Sequence, residues 1–253
     1  MRIFLKTEDE IILLRAASQL ATRALIEVGR HVVPKLALSH LRNKVVNAVM
    51  RTVPTESNSG KEALSSDTEF TFFVNGAYVE PSLEGECMLC EGDWLTVNCW
   101  VCLDGYYSFG AHTFIVGSSQ DDEPMTSTLI DMLRQVVRRA SAGHSIKEMS
   151  RTVYRLHSHD PYVLQKTFGH GVGRNRVENP ILRMNPGVND AVLLKEGMCL
   201  VIALAFKHGR SHLIKPRLMH ESTFHNPFVP FGTTVVVRPG RPEILTSFET
   251  IVK

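Results

Sequence analysis

The first part of the chain has the apolar spacing of two consecutive helices. Thr7 and Glu10 form a capping-box pattern, and apolar residues then recur three or four positions apart over residues 11–28. Gly29 follows this run, and we expect it to end the helix. A second stretch with helical spacing covers residues 39–53. The pattern therefore predicts a helix pair before any strand.

A polar segment and a group of strands follow the helix pair. Residues 55–68 are rich in Ser, Thr, Asn and Glu, and we expect a mobile loop there. Runs of β-branched and aromatic residues at 70–74, 94–102 and 113–116 predict strands. Asp104-Gly105 is typical of a hairpin turn after the second run.

The remainder of the chain repeats this order. Helical spacing over residues 127–140 ends near Gly143, and Ser145 with Glu148 makes a second capping box, for a helix that reaches about residue 157. Strands are predicted at 199–206, 233–237 and 242–246.

A short echo links the two halves. LCEGDWL at residues 89–95 recurs as LKEGMCL at residues 194–200, and each copy follows a helix pair and opens a strand. Two helix-helix-strand halves packed through their sheets would form one α+β domain with pseudo-twofold symmetry. A cleft between the halves would be its natural site.

Composition narrows the class of protein. The 253 residues include 28 Lys and Arg against 26 Asp and Glu, and 43% are hydrophobic. This composition is typical of a globular domain, and any nucleic acid must be met by a local basic patch. No apolar run approaches the roughly 18 residues of a membrane span. The acidic residues that closely follow Met1 leave no room for a signal peptide, so we expect the cytoplasm, with the mitochondrial matrix as the alternative.

The cysteines predict neither disulfides nor a metal. Five is an odd number, which favours a reducing compartment. Cys87 with Cys90 and Cys99 with Cys102 have zinc-like spacing. However, the second pair falls in one predicted strand, where residues three apart point to opposite faces. We therefore expect no zinc site.

Several motifs together resemble the methionine aminopeptidases and the wider group of pita-bread metallopeptidases. They are Leu5-Lys6-Thr7, Glu91-Gly92-Asp93, Asp104-Gly105-Tyr106, Thr113 to Gly117, Gly169-His170-Gly171-Val172-Gly173-Arg174 and Glu243 to Thr246. The resemblance covers nearly the whole chain and implies a single pita-bread domain over residues 1–253, with the two halves around a curved antiparallel sheet. It also implies a cleft in which two Asp, one His and two Glu hold two divalent metals.

The ligand positions of that family are mostly changed in this chain. Placed residue by residue, the ligands fall on Asn98, Phe109, His170, Ala203 and Gly232, and the two other catalytic histidines fall on Glu80 and Val177. Only one ligand type remains, and no carboxylate is left to neutralise the cations. We therefore predict a pseudoenzyme without metal or other cofactor. If Asn98 points into the cleft, Trp100 does too, and together with Phe109 it would fill the space.

Two basic regions suggest a partner. Residues 197–220 contain no Asp or Glu, and the second helix pair is rich in arginine. Because other inactive pita-bread proteins act at the ribosome, we expect a structural or assembly factor of a ribosomal particle, in contact with proteins and rRNA and not with a membrane. The alternatives are an ordinary solvated surface, a non-cleaving peptide or protein binder, and an active metallo-aminopeptidase with a rebuilt site. The candidate contact residues are Lys207, Arg210, Lys215, Arg217, Arg134, Arg138 and Arg139.

Overall fold

The computed structural model describes residues 2–53, 64, 66–117, 124–159, 167–185, 192–207 and 228–247. Within these ranges lie four helices, which are α1 (Glu8–His31), α2 (Leu38–Thr52), α3 (Pro124–Val137) and α4 (Ile146–His159). The strands are β1 (Glu69–Val74), β2 (Ala77–Tyr78), β3 (Trp94–Leu103), β4 (Tyr106–Ile115), β5 (Thr167–Gly171), β6 (Glu178–Arg183), β7 (Cys199–Lys207), β8 (Phe228–Val236) and β9 (Glu243–Ile244).

Both predicted capping boxes are present. The Thr7 hydroxyl accepts from the Glu10 backbone N–H at 3.3 Å, and the Glu10 carboxylate accepts from the Thr7 N–H at 3.0 Å. Ser145 and Glu148 make the same reciprocal pair at the start of α4. Each pair satisfies backbone donors that a helix start leaves open, and each fixes where its helix begins.

Gly29 does not end α1, and that prediction was wrong. The helix continues to His31, with Val32 as its C-cap. Val28 and Val32 are both buried in the core, and Glu27 contacts His31 at 2.9 Å one turn later. Packing on one side and this side-chain pair on the other hold the last turn in place, so the glycine does not act as a stop.

The strands of the described residues form one antiparallel sheet with a symmetric order. The order is β2-β1-β3-β4-β8-β7-β5-β6, and β9 pairs with β8. The pair β4 and β8 therefore lies at the centre of the sheet, where the two halves of the chain meet. In the first half α1 packs on β3 and β4, and in the second half α3 packs on β7 and β8. The α+β fold with two matching halves is confirmed.

The sequence echo corresponds to equivalent turns. Gly92 and Gly197 both adopt positive φ, 78° and 82°, which glycine tolerates without strain. The residue after each glycine accepts a backbone hydrogen bond of 2.8 Å. The Val116 N–H donates to the Asp93 carbonyl, and the Val237 N–H donates to the Met198 carbonyl. The two copies of the repeated sequence therefore form equivalent turns at the start of β3 and of β7.

Three parts of the strand prediction needed correction. β4 begins at Tyr106, directly after the Asp104-Gly105 turn, and is much longer than the predicted run at 113–116. β6 was not predicted. β5, which contains His170, was not predicted either. A Cβ at Gly169 would lie 2.1 Å from the Val201 carbonyl oxygen, so the glycine permits the neighbouring strand to approach.

Part of the predicted mobile loop at 55–68 is described and anchored. Leu64 bridges to Leu103, and the Asp67 carboxylate accepts from the Tyr107 hydroxyl at 2.6 Å. Residues 54–63 and 65 lie outside the described residues. The helices in the described part of the chain lack the length and apolarity that crossing a membrane requires.

Candidate functional site

The sheet brings the positions singled out in the sequence into one row. Asn98 in β3 lies opposite Ala111 in β4, Ala111 lies opposite Gly232 in β8, and Gly232 lies opposite Ala203 in β7. Directly opposed residues of antiparallel strands share a face of the sheet. These positions therefore lie on one face, which we call the row face.

His170 and Phe109 belong to the same face. His170 in β5 lies opposite Val201, which is two residues from Ala203. Phe109 is two residues from Ala111 and lies opposite Trp100. Because residues two apart along a strand point the same way, all five predicted ligand positions converge on the row face.

The Phe109 ring covers Gly232. A Cβ placed on Gly232 would lie 2.7 Å from Cε1 of Phe109 and 3.0 Å from Cβ of Ala203. Both distances are shorter than van der Waals contact allows. Phe109 is 8% exposed. The space beside Ala203 is therefore occupied by an aromatic ring, and Gly232 leaves room for it.

Hydrogen bonds hold Phe109 in this position. Its backbone N–H donates to the Thr234 hydroxyl at 2.9 Å, and its carbonyl accepts from the hydroxyls of Thr234 and Thr246, each at 2.9 Å. These side chains are buried, so the bonds are shielded from water. They tie β4 to β8 at the point where the ring crosses between the strands.

Further rings extend the aromatic surface from Phe109. The ring centroids of Trp100 and Phe109 are 4.8 Å apart, and His170 stacks on Trp100 at 6.1 Å with an interplanar angle of 10°. The prediction that Trp100 and Phe109 pack together on this face is confirmed. Together the two rings form an apolar surface on this face.

Arg176 closes over this aromatic surface. Its guanidinium lies 5.6 Å from the Trp100 ring centroid and 5.8 Å from that of Tyr107. It also pairs with the Glu69 carboxylate at 2.8 Å and donates to the Asp67 carbonyl at 2.5 Å. The hydrogen bond from Tyr107 to the Asp67 carboxylate raises the pKa of Tyr107 to about 12. These contacts fasten the segment before β1 across the rings.

Two of the five predicted ligand positions, Asn98 and His170, carry polar side chains. His170 Nδ1 lies 2.8 Å from the Gly171 carbonyl oxygen, which can only accept, so Nε2 carries the lone pair of the neutral ring. Burial lowers the pKa of His170, although this hydrogen bond opposes the shift. Oδ1 of Asn98 is buried and has no hydrogen-bond partner within the described part of the chain.

These residues do not fit a pair of divalent metals. The five positions supply an imidazole and a neutral amide, and the side chains of Phe109, Ala203 and Gly232 contain no donor atom. Two adjacent hard cations need several anionic oxygens to bind and bridge them. No group of three or more His, Cys, Asp or Glu within the described ranges is arranged to hold a metal. This includes Cys99 and Cys102, which are buried in β3.

Glu80 and Val177 are exposed at the ends of elements. Glu80 precedes a 3₁₀ turn, Pro81–Leu83, and its carbonyl accepts from the Leu83 N–H. Val177 lies before β6 and is 58% exposed. Neither position carries a side chain of the imidazole type that transfers protons near neutral pH.

The arginines predicted on the second helix pair line grooves on its surface. Arg134 and Arg138 line a groove of about 720 Å³ between α3 and residues 240–244. Arg138 and Arg139 also line a groove of about 240 Å³ together with Thr152 and Arg155 of α4. The other predicted contacts, Arg210, Lys215 and Arg217, lie outside the described residues, as does the side chain of Lys207.

Sequence reasoning missed three residues of these surfaces. Arg241 lines the larger groove, although it is remote from α3 in the chain. Tyr154 is 58% exposed on α4, three residues after Arg151, and an aromatic residue within a basic helix face was a signal that could have identified it. The position of Arg176 over the rings had no local signal.

Comparison with known proteins identifies the relatives of this chain. The model of metallopeptidase family M24 matches residues 12–238. A methionine aminopeptidase from Helicobacter pylori is 28% identical over 225 residues, which are 85% of this chain and 87% of that protein. One from Clostridium perfringens is 24% identical over 248 residues, covering 96% and 98%. The crystal structure of methionine aminopeptidase from Thermotoga maritima has a TM-score of 0.78 at 21% identity and covers 97% of this chain and 100% of that one. The predicted resemblance and the pita-bread fold are confirmed.

Proposed function

Because the chain belongs to metallopeptidase family M24 and the family's ligand positions lack carboxylates, we propose that it is a catalytically inactive, aminopeptidase-like pseudoenzyme. We further propose that it serves as a structural or assembly factor of a large RNA-protein assembly, a ribosome or a ribosomal subunit precursor. It works there in the cytoplasm or in the mitochondrial matrix.

The contact between Phe109 and Gly232 carries the proposal of inactivity. An acidic side chain at position 232 would meet the Phe109 ring at its first carbon. The ring is buried, and hydrogen bonds with Thr234 and Thr246 hold the Phe109 backbone in place. An acidic residue at position 232 therefore fits only if Phe109 is also replaced. This supports a site whose space is filled by packed side chains.

An aminopeptidase assay tests this part of the proposal. The purified chain is incubated with a peptide that begins with methionine, with Mn²⁺, Co²⁺ or Zn²⁺ added in turn, and free methionine is measured. We expect no metal-dependent release, while a bacterial methionine aminopeptidase assayed in parallel releases methionine. Release that depends on metal and disappears in His170→Ala would instead support an active enzyme with a rebuilt site.

The basic surfaces support docking on a ribosomal particle. Arg138 and Arg139 are exposed in the turn directly after α3, and the segment at 207–217 adds Lys and Arg without an acid. Arginine binds phosphate through a planar fork of donors, and such contacts weaken as salt rises. The formal charge of the whole chain is only +2, so its positive charge is concentrated locally at these surfaces. Such a local concentration fits a partner rich in phosphate groups.

Co-sedimentation tests the docking. The tagged chain is expressed in its native cells, particles are separated on a sucrose gradient, and the chain is followed across the fractions. We expect it to comigrate with a ribosomal particle, and to be released by charge reversal at Arg210, Lys215 and Arg217. Reversal of three exposed cations in the other half, Lys35, Lys44 and Arg51, is the matched control. Migration only at the position of the free chain would contradict the proposal.

One observation favours a second function, a peptide binder that does not cleave. The buried Asn98 Oδ1 has no partner in the described part of the chain, and an ammonium group of a peptide would supply a donor. Short peptides should then compete with the partner, and Asn98→Leu should abolish the competition. If peptides have no effect while the chain still sediments with particles, the assembly role is favoured.

A further inference from the structure

The grooves on α3 and α4 form one continuous basic surface. Arg138 lines both the groove of about 720 Å³ and the next one of about 240 Å³. Arg139, Thr152 and Arg155 line that second groove and also a third, of about 300 Å³, which Arg151 joins. The three grooves therefore adjoin one another through shared side chains. We call this path the arginine groove.

The charge of the arginine groove is strongly one-sided. Two carboxylates line it, and both have local partners, since Asp131 pairs with Arg134 at 2.7 Å and Glu148 accepts from the Ser145 N–H at 2.6 Å. By contrast, Arg138, Arg139 and Arg151 form no ion pair with the residues that the structure describes. Six arginines contribute to the lining in all, namely Arg134, Arg138, Arg139, Arg151, Arg155 and Arg241.

An exposed aromatic ring accompanies these charges. Tyr154 lies on α4 three residues after Arg151 and next to Arg155, and it is 58% exposed. Residues three apart are neighbours on a helix surface, so Tyr154 flanks Arg151, although the ring is not among the residues that line the described grooves. More than half of this side chain is open to solvent, which leaves ring surface on which a ligand can stack.

We propose that the arginine groove binds single-stranded RNA, with guanidinium groups on successive phosphates and the Tyr154 ring stacked on an unpaired base. This inference rests on the proposed function and adds to it the chemistry and the place of the contact. Arginine and phosphate form bidentate charged hydrogen bonds. Aromatic rings beside a basic groove bind bases through stacking, which needs no particular sequence.

The combination of groove and ring favours this ligand over two others. A paired RNA helix keeps its bases stacked inside, where Tyr154 cannot reach them, and is contacted through phosphates and 2′-hydroxyls alone. An acidic peptide would satisfy the arginines and has no base to place on the ring. Only an unpaired strand uses both features together.

Fluorescence anisotropy with a labelled oligouridylate tests the proposal on the full chain. We expect Tyr154→Ala to weaken binding roughly tenfold or more because the stacking is removed, while Tyr154→Phe, which keeps the ring, stays close to wild type. Arg138→Gln with Arg139→Gln should weaken binding and reduce the slope of log Kd against log salt by about 0.7 for each phosphate that the variant no longer binds.

Controls separate this result from a general charge effect. Lys44→Gln with Arg51→Gln removes the same charge from exposed positions on α2 and should leave the affinity and the salt slope unchanged. Circular dichroism confirms that each variant is folded. A blunt-ended RNA duplex and a polyglutamate peptide are titrated alongside, and both should bind less tightly than oligouridylate and be insensitive to Tyr154→Ala.

Several results would overturn the proposal. They are no binding of oligouridylate at low salt, equal affinity of wild type and Tyr154→Ala, or tighter binding of the RNA duplex or of polyglutamate. If the chain nevertheless comigrates with ribosomal particles, the inference fails and the proposed function stands. If oligouridylate binds as expected but the chain never comigrates with particles, the groove is an RNA site and the ribosomal role fails.

Discussion

Phe109 on the row face and Arg138 in the turn after α3 belong to two regions whose side chains have opposite environments. Phe109 is buried, lies against Gly232 and is tied to two threonines, so its environment is fixed by packing. Arg138 is exposed, lines two grooves and makes no ion pair with described residues. Exposed charges contribute little to stability. Packing therefore explains which residues occupy the row face. It does not explain the exposed arginines, and binding of a partner accounts for them better.

The largest expected effect is that of Phe109→Ala. Removing a buried aromatic ring leaves a cavity and costs about 3–5 kcal/mol in the free energy of unfolding. Urea unfolding followed by circular dichroism measures it. A loss below about 1 kcal/mol would mean that the ring lies in an open cleft rather than in packing, and the contrast between the two regions would disappear.

Gly232→Ala should destabilise the wild type by about 1–3 kcal/mol, because the added methyl group would meet the Phe109 ring. In the Phe109→Ala background the same change should cost much less, since the ring is gone. The comparison of the four chains gives the coupling between the two positions. Strictly additive effects would contradict the contact.

His170 should make stability depend on pH. Burial lowers its folded-state pKa below the usual value of 6.5, so the unfolded chain takes up this proton first as the pH falls. The wild type should therefore lose stability through this residue on going from neutral to acidic pH, and His170→Gln should lose less. Unfolding of both chains at about pH 7.5 and about pH 5.5 gives the comparison. Equal losses would show that the ring is solvated.

The smallest expected effect on stability is that of Arg138→Gln with Arg139→Gln. Substitution of exposed side chains without ion pairs changes the free energy of unfolding by no more than about 0.5 kcal/mol. Removing two neighbouring positive charges also reduces their repulsion, which slightly stabilises the chain. Thermal unfolding measures it, with Lys44→Gln and Arg51→Gln as the charge-matched control. A loss near that of Gly232→Ala would show that these arginines serve the fold, and the contrast would be reversed.

Local sequence signals predicted the elements whose limits are set locally. Contacts within a few residues determine two helix starts and one turn. These are the capping boxes at Thr7 and Ser145 and the pair Asp104-Gly105, in which both residues have positive φ, and all three were predicted. β5 was missed because glycines disfavour strands on their own. There the reason for the glycines is the approach of β7 and β6, which a local pattern does not contain.

The site shows the same division. Resemblance located the five positions, and strand alternation placed Asn98 and Trp100 on one face. The contact of Phe109 with Gly232 joins strands that are far apart in sequence, and the clamp of Arg176 on Trp100 joins a loop to β3. Such contacts follow from the sheet order, which the sequence pattern alone leaves open.

Calorimetric titration with Mn²⁺ tests most directly whether the row face has lost its metals. A site that offers one imidazole and one amide should give no saturable heat, and wild type should match His170→Ala. Binding of a pair of ions per chain that is lost in His170→Ala would show that carboxylates from elsewhere complete the centre, and it would contradict the account of an inactive, packed cleft.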